Sequence, residues 1–273
     1  KDKNENTPRW APDGSFFVFS SNRDGAANQL YMMRPDGGEA QKITDVKDGV
    51  GNYMFTRDGR TLVFAAGKSE EQQLWTLPVA NLTEAKPTSL TKHATPVGNW
   101  QLSKDGTRAF FLASDSIDTL NKKRLEAKFD VRIRNEDIPL NHLWMVDIAT
   151  AQEKRLTQGA EFSIEGFSLS DDGRFAGVRA LPNDRYQRTI TEANNSGDQY
   201  LLTIASGNLE RLTNNKIIGE SNLSFSPDGR TIAFSAPDDF TYFKANKVYT
   251  RAIDAVGGPW TKLGAAYDGN VTI

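Results

Sequence analysis

Short apolar runs, separated by Gly, Asp, Asn and Pro, recur along the whole chain. The first set of runs is FFVFS at 16–20, TLVFA at 61–65, RAFFL at 108–112, FAGVR at 175–179 and TIAFS at 231–235. The second set is QLYMM at 29–33, QLWTL at 73–77, HLWMVD at 142–147, QYLLTI at 199–204 and KVYTRAID at 247–254. Because Phe, Val, Ile, Tyr and Trp favour strands, both sets are predicted to be strands.

The runs belong to five repeated units. An Asp-Gly pair precedes each run of the first set, and each unit closes on QKIT, TSLT, KRLT, ERLT or TKLG. The units span about 8–44, 53–91, 100–157, 166–213 and 222–264. Each unit is therefore predicted to hold four strands, which we name A (before Asp-Gly), B (after it), C and D (the closing element).

The Asp-Gly pairs allow two interpretations, a hairpin turn or an acidic metal site. The pairs are Asp13-Gly14, Asp58-Gly59, Asp105-Gly106, Asp172-Gly173 and Asp228-Gly229. In a three-residue loop such as Pro227-Asp228-Gly229, Pro presets φ, Asp accepts backbone N–H groups and Gly takes a positive φ. A calcium site needs several converging oxygen ligands, whereas each turn supplies one carboxylate. The pairs are predicted to be structural turn markers, and no metal is expected.

Repeats of four short strands are typical of β-propeller blades. Blades pack face to face, which explains why the B and C runs are almost continuously apolar. The fold class predicted is an all-β propeller over residues 1–273. The sequence begins without Met and ends where a further repeat is due, so we expect five blades of a larger ring of about seven. The exception to the strand pattern is 118–130, where a helix is predicted.

The lengths of the connections differ between the two ends of the predicted sheets. The A–B turns are all tight, whereas the B–C connections at 113–141, 180–198 and 236–246 are long. Connections B–C and D–A share one side of a propeller. Because loops on rigid scaffolds carry function, this side is predicted to meet a partner domain or a substrate.

The segment FSPDGRTIAFS at 225–235 resembles the PD40 (WD40-like) propeller repeat. TolB propellers share that repeat with the N-terminal propellers of prolyl oligopeptidase (S9) serine peptidases. The segment KFDVRIRNEDIPLNHLWMVDIATAQEKRLT at 128–157 resembles S9 peptidases of the acylaminoacyl-peptidase and dipeptidyl-peptidase type. The resemblance implies a propeller that caps an α/β-hydrolase domain and restricts access to peptides.

The sequence of this chain lacks the catalytic signature that the resemblance implies. It contains no G-x-S-x-G nucleophile elbow and no alternation of strands and helices. Its two histidines are interpreted as structural (His142, opening strand C) and as a solvated loop residue (His93). We therefore expect the chain alone to be inactive, with the hydrolase domain of the same polypeptide and a peptide substrate as partners. The alternative is a TolB-like or free-standing propeller that acts as a protein-binding scaffold.

Two pairs of charged residues are candidates for contact with a substrate or an interface. Glu70 and Glu71 lie in the B–C connection of the second unit. Dipeptidyl peptidases use a Glu pair to bind the substrate amine, but their surrounding motif does not match SEEQQ. Arg132 and Arg134 alternate with apolar residues, which places both on one face of an extended run where they could meet a carboxylate.

The composition of the chain excludes several kinds of site and partner that the repeats leave open. The 273 residues carry a net charge of −2, and Cys is absent, which excludes disulfides and thiolate metal sites. The basic stretch 121–134 has no aromatic interleaving beyond Phe129 and the chain is acidic overall, so no nucleic-acid partner is expected. No Gly-rich phosphate loop indicates a cofactor, and no apolar run is long enough to span a membrane. A soluble protein of the cytoplasm, or of the bacterial periplasm after removal of a signal, fits equally well.

Overall fold

The computed structural model describes residues 3–116, 119–129, 139–183, 197–215, 218–221 and 223–273. These residues are nearly all in strands and turns. The chain divides into two compact units, one comprising Lys1–Phe111 with Met145–Lys154 and the other Leu112–Trp144 with Arg155–Ile273. The single domain over 1–273 remains a prediction.

Five four-stranded antiparallel sheets follow one another along the chain, each in the strand order A-B-C-D. The first sheet has β1 (Glu5–Trp10), β2 (Phe17–Ser21), β3 (Gln29–Arg34) and β4 (Gly37–Lys42). The second has β5 (Val50–Phe55), β6 (Thr61–Ala66), β7 (Gln73–Pro78) and β8 (Thr88–Ser89). The third has β9 (Trp100–Leu102), β10 (Arg108–Ser114), β11 (Asn141–Asp147) and β12 (Glu153–Arg155).

The same arrangement continues in the last two sheets. The fourth has β13 (Phe162–Leu169), β14 (Phe175–Pro182), β15 (Asp198–Thr203) and β16 (Asn208–Arg211). The fifth has β17 (Ser224–Phe225), β18 (Thr231–Pro237), β19 (Asn246–Ala252) and β20 (Thr261–Leu263). The helices with described bounds are α1 (Thr119–Glu126), inside the predicted 118–130, and the 3-10 turns Val79–Asn81 and Asp238–Phe240.

The apolar B and C strands form the middle of each sheet and supply the core. Phe64 pairs with Trp75 across β6 and β7, and Phe234 pairs with Tyr249 across β18 and β19. The phenyl rings at the equivalent B-strand position are buried in the first, second, third and fifth sheets: Phe19, Phe64, Phe111 and Phe234. The near-continuous apolar runs are thus explained by burial on both faces of the sheets.

The fourth sheet departs from this pattern, with Val178 at the equivalent position and Gly177 before it. Gly177 itself has a packing reason. Leu223, which precedes β17, lies so close that a Cβ at Gly177 would stand 2.6 Å from Leu223 Cβ. Ser168 on β13 donates its hydroxyl to the carbonyl of Leu223. The backbone next to β17 is therefore drawn against the fourth sheet, and the site has room for glycine only.

The structure places the Asp-Gly pairs in the A–B hairpin turns. In the third sheet Asp105 Oδ1 accepts the backbone N–H of Thr107 at 3.0 Å and the hydroxyl of Ser103 at 2.6 Å. Gly106 has φ +76° and donates its N–H to the carbonyl of Ser103 at 2.9 Å. These hydrogen bonds lower the pKa of the Asp105 carboxyl below its usual range. The Asp is therefore fully used in closing the turn.

Candidate functional site

A threonine latch recurs at the opposite end of four sheets, where strand C begins. The Thr of each closing Leu-Thr or Ile-Thr accepts a backbone N–H from strand C, with Oγ1 2.8 to 2.9 Å from N. Its partner is the side chain that opens strand C. Thr44 donates to Gln29 Oε1 at 2.9 Å and Thr91 donates to Gln73 Oε1 at 2.8 Å. The latch holds strand D and the following D–A connection against strand C.

In the third sheet a histidine takes the place of the glutamine, and the latch becomes part of a charged group that we call the third-sheet cluster (Asp115, His142, Arg155 and Thr157). His142 Nδ1 lies 3.1 Å from Thr157 Oγ1, and its Nε2 lies 3.4 Å from Asp115 Oδ2. Arg155 Nη1 lies 3.0 Å from Asp115 Oδ1. Burial, and next the positive charge of Arg155, lower the pKa of His142, so the imidazole is neutral at physiological pH.

The Thr–His–Asp order in this cluster is superficially that of a catalytic triad. The His142 side chain is fully buried, and Thr157 Oγ1 already accepts the N–H of Leu143 at 2.9 Å. A nucleophile must instead reach a substrate carbonyl beside an oxyanion hole. The same Thr position also serves Gln29 and Gln73, which cannot act as general bases. The geometry therefore supports a structural role for His142, as the sequence analysis expected.

The interpretation of His93 as a solvated loop residue is wrong. Its side chain is only 8% exposed, and its Nδ1 lies 2.7 Å from Glu153 Oε2. Glu153 Oε1 accepts the backbone N–H of Lys92 at 3.0 Å, and the imidazole packs edge-on against Phe111. Glu153 stands on β12, 60 positions further along the chain. The pair ties the D–A connection of the second sheet to strand D of the third.

The fourth sheet carries a group of hydrogen-bonded polar side chains, which we call the fourth-sheet cluster (Asp198, Arg211, Thr213, Asn215 and Glu220). Asp198 takes the position of the latch glutamine, and Arg211 donates to its Oδ2 through both Nε and Nη2. Thr213 donates to Glu220 Oε2 at 3.0 Å, and Asn215 donates to Glu220 Oε1. Burial raises the pKa of Glu220 to about 7, partly opposed by these hydrogen bonds. Arg211 therefore pairs directly with Asp198, whereas the buried Glu220 accepts its hydrogen bonds from the neutral side chains of Thr213 and Asn215.

A groove of about 540 Å³ opens beside the fourth-sheet cluster. Its apolar wall includes Phe162 and Tyr200, whose ring centroids are 5.4 Å apart, and its rim includes Arg211 and Glu161. Arg211 is half-exposed although its partner Asp198 is buried. The groove combines an aromatic wall with amide, carboxylate and guanidinium groups, which suits contact with a polypeptide.

The sequence analysis predicted four substrate or interface residues, and the structure describes two of them. Glu70 and Glu71 lie exposed in the β6–β7 turn, where Glu70 accepts the hydroxyl of Ser69 at 3.0 Å. Arg132 and Arg134 lie outside the described residues. Within the described ranges, no group of three or more His, Cys, Asp or Glu side chains could hold a metal ion. No helix in this part of the chain has the length and apolar character that a membrane crossing requires.

No family model matches the chain. Two curated proteins are similar over short segments. The uncharacterized peptidase YuxL of Bacillus subtilis (strain 168) is 38% identical over 73 residues, which is 27% of this chain and 11% of that protein. Dipeptidyl-peptidase 5 of Porphyromonas endodontalis is 32% identical over 60 residues, which is 22% of this chain and 8% of that protein. The matches span about a tenth of the length of these curated relatives.

Solved structures share the fold over nearly the whole chain. The chain is similar to the propeller domains of S9-type peptidases. It covers 75% of the β-propeller domain of the Trilobed protease from Pyrococcus furiosus (TM-score 0.58, 12% identity, 100% of this chain). It covers 40% of the Pyrococcus horikoshii acylaminoacyl peptidase (TM-score 0.57, 12% identity, 97% of this chain). A putative TolB from Agrobacterium tumefaciens is also similar (TM-score 0.53, 19% identity, 96% of this chain and 81% of that one).

These findings confirm two predictions made from the repeats. The fold class is an all-β propeller with four-stranded blades, and the resemblance to S9 peptidases extends to curated relatives that are peptidases by name. Similarity to a TolB structure stands beside it, as the shared repeat implies. The total number of blades remains a prediction.

Proposed function

We propose that this chain is the non-catalytic propeller of an S9-type serine peptidase. It docks on an α/β-hydrolase domain of the same polypeptide and gates the access of peptides to it. The observation that carries the proposal is that both curated relatives are named as peptidases, while the sequence of this chain has no G-x-S-x-G elbow. Hydrolysis is assigned to the other domain, because the Thr–His–Asp group of the third sheet is buried.

The geometry of the sheet ends supports a gating role. The A–B turns are short and saturated with internal hydrogen bonds, which leaves little to offer a partner. The C-strand ends of the third and fourth sheets carry charged side chains and the groove beside Asp198. Glu70, Glu71, Arg132 and Arg134 are retained as proposed contacts with a substrate or an interface.

The coding sequence after the codon for Ile273 tests the proposal first. We expect a strand–G-x-S-x-G–helix segment within a few hundred codons; a stop codon directly after Ile273 would refute the same-polypeptide arrangement. The full polypeptide should hydrolyse aminoacyl- or acyl-peptide substrates and lose this activity with a serine-directed inhibitor. Residues 1–273 alone should give no turnover, and inhibitor-sensitive turnover by that fragment would contradict the proposal.

A TolB-like scaffold that binds proteins is the second candidate. It is favoured by one observation: the chain covers 81% of a putative TolB structure but only 40% of the acylaminoacyl peptidase. If this candidate is right, the full gene product shows no peptidase activity, and it binds a protein without cleaving it.

A further inference from the structure

The first and fourth sheets carry a tyrosine at the same place on strand C, but only the first sheet covers it with an arginine. Tyr31 and Tyr200 each directly follow the residue whose N–H the latch threonine accepts. Tyr31 pairs with Phe19 on strand B, and Tyr200 pairs with Val178. The two tyrosines are therefore equivalent in the repeat, and their surroundings can be compared.

In the first sheet the protein itself places a guanidinium on this tyrosine. Arg23 Cζ lies 5.0 Å from the ring centroid of Phe19 and 4.9 Å from that of Tyr31. Arg23 Nη2 also donates to Glu5, which opens strand β1. The hydroxyl of Tyr31 is occupied, since it donates to Asp24 at 2.7 Å. The arrangement is favourable because a planar guanidinium can stack on aromatic faces and pair with a carboxylate at the same time.

The fourth sheet keeps the rings and an acid but lacks the arginine. The residue four positions after the strand-B partner of the tyrosine is Arg23 in the first sheet and Pro182 in the fourth. The ring of Phe162 lies beside that of Tyr200, and Glu161 stands just before strand β13. These fourth-sheet residues all line the groove of about 540 Å³ described above. The groove therefore lies where the first sheet has its arginine.

Two polar groups of this groove have no hydrogen-bond partner in the part of the chain that the structure describes. They are the carboxylate of Glu161 and the hydroxyl of Tyr200. Burial raises the pKa of Tyr200, and the charges of Asp198 and Glu161 add to this rise against the opposing charge of Arg211. Both carboxylates therefore act on the space in front of the Tyr200 hydroxyl.

The charges that line the groove favour a cation. Glu161 and Asp198 are both acidic, and Arg211 is the basic residue among the lining side chains. Arg211 donates to Asp198 through Nε and Nη2, and its Nε also donates to the carbonyl of Thr213 at 3.0 Å. Its charge is therefore balanced by Asp198, and the exposed carboxylate of Glu161 leaves the groove with an excess of negative charge.

We propose that this groove binds the side chain of an arginine in a peptide substrate, with the guanidinium stacked on Tyr200 and paired with Glu161. The inference rests on the proposed function, which supplies the peptide. An arginine fits better than a lysine, because the ammonium group cannot stack as a plane on the ring. The first sheet shows that the same repeat holds a guanidinium on the equivalent tyrosine beside an acid.

Calorimetric titration of the full polypeptide, treated beforehand with a serine-directed inhibitor, tests the proposal. The probes are a capped pentapeptide with arginine at the centre of four glycines, and the same peptide with citrulline, which keeps the shape of arginine without its charge. We expect the citrulline peptide to bind about tenfold more weakly, because it lacks the ion pair and the cation–π contact. Equal affinities would overturn the proposal, and a lysine peptide that binds as tightly as the arginine peptide would refute the stacked guanidinium.

Variants of the protein locate the site. Glu161→Gln should weaken binding of the arginine peptide about fivefold. Glu165→Gln is the matched control, because it removes the same charge from an exposed position on β13 that does not line the groove, and it should leave the affinity unchanged. Pro182→Arg supplies a guanidinium from the protein itself, as Arg23 does in the first sheet, and should abolish the preference for arginine over citrulline. Equal effects of the two Gln variants, or an unchanged preference in Pro182→Arg, would place the peptide elsewhere.

Hydrolysis of peptide substrates by the untreated polypeptide reports on the proposed function alone. An active peptidase that binds the arginine and citrulline peptides equally refutes only the arginine site. An inactive polypeptide that prefers the arginine peptide, and loses this preference in Pro182→Arg, refutes the peptidase and supports the site.

Discussion

The third-sheet and fourth-sheet clusters are built on the same threonine latch but balance their charges differently. In the third sheet the neutral His142 lies beside the ion pair of Asp115 and Arg155, one acid and one base. In the fourth sheet Asp198 and Glu220 are both buried; Arg211 pairs with Asp198, and Glu220 accepts hydrogen bonds from Thr213 and Asn215. The comparison teaches that the repeat fixes the backbone at this sheet end, whereas the titratable side chains around the latch, His142 in the third sheet and Glu220 in the fourth, decide how it responds to pH.

Glu220→Gln should have the largest effect. The folded pKa of about 7 lies above the usual 4.5, so between these pH values the folded chain holds a proton that the unfolded chain has lost. Stability contributed by Glu220 is therefore present below pH 4.5 and is lost as pH rises to 7, by about 3 kcal/mol. Gln mimics the protonated form and should remove this loss.

Urea unfolding at pH 5 and pH 8 measures that change. We expect Glu220→Gln to exceed the unsubstituted chain by less than about 1 kcal/mol at pH 5 and by about 3 kcal/mol at pH 8. Glu161→Gln, at the exposed rim of the neighbouring groove, is the control and should leave the profile unchanged. A Glu220→Gln variant that is less stable at pH 8 would show that the carboxylate is ionised and well paired in the fold.

Arg211→Met and Arg155→Met should have the next largest effects on stability, and together they compare the arginines of the two clusters. Removal of Arg211 leaves the buried Asp198 without its main partner, and the cost should be about 2 kcal/mol, because Arg211 is itself half-exposed. Removal of Arg155 frees Asp115, which is 35% exposed and can be hydrated, so the cost should stay below about 1 kcal/mol. Both are measured by urea unfolding at pH 8. Equal costs would contradict the difference in charge balance.

The sequence was sufficient to predict those parts of the structure that depend on residues close to one another along the chain. Asp105 and Gly106 form one turn with residues two or three positions away, so the pattern alone defined the chemistry. The Phe residues at equivalent B-strand positions were likewise placed in the core from the repeat. These predictions needed only local geometry and a hydrophobic pattern.

The sites that escaped sequence reasoning depend on distant partners. His93 was placed in solvent because Glu153, which contacts it, is 60 positions away on another sheet. Glu220 sits in an ordinary segment, IIGES, and only packing reveals its neighbours. One signal was present: the fifth repeat replaces the latch Thr by Gly264 and the strand-opening acceptor by Lys247 together. That paired change indicates a contact between the two positions.

Thr157→Val and Thr213→Val should lower the free energy of unfolding by similar amounts, because each removes the threonine latch that the two clusters share. Each substitution leaves a backbone N–H of strand C, that of Leu143 or Gln199, without its acceptor. An unsatisfied buried N–H costs about 1–3 kcal/mol, and we expect about 1.5 kcal/mol for each variant by urea unfolding. Thr261→Val, an exposed Thr on β20, should change stability by less than about 0.5 kcal/mol. A neutral result at Thr157 would mean that the latch is dispensable.

His142→Gln should have the smallest effect and the opposite pH dependence to Glu220→Gln. Gln29 and Gln73 fill this position in the first two sheets, so the substitution keeps an acceptor for Thr157 and should cost about 1 kcal/mol or less at pH 8. Burial lowers the folded pKa of His142, so below about pH 6.5 the unfolded chain gains a proton that the folded chain resists.

Stability contributed by the neutral imidazole is therefore present above that pH and is lost as the pH falls. Urea unfolding at pH 8, 6.5 and 5.5 should show that the difference in free energy of unfolding between His142→Gln and the unsubstituted chain becomes smaller in acid. The reason is that only the unsubstituted chain has an imidazole at this position whose protonation destabilises the fold. A deficit that grows in acid would mean that the folded chain binds the proton and pairs the imidazolium with Asp115, which lies 3.4 Å away. The third-sheet cluster would then respond to acid in the same direction as the fourth.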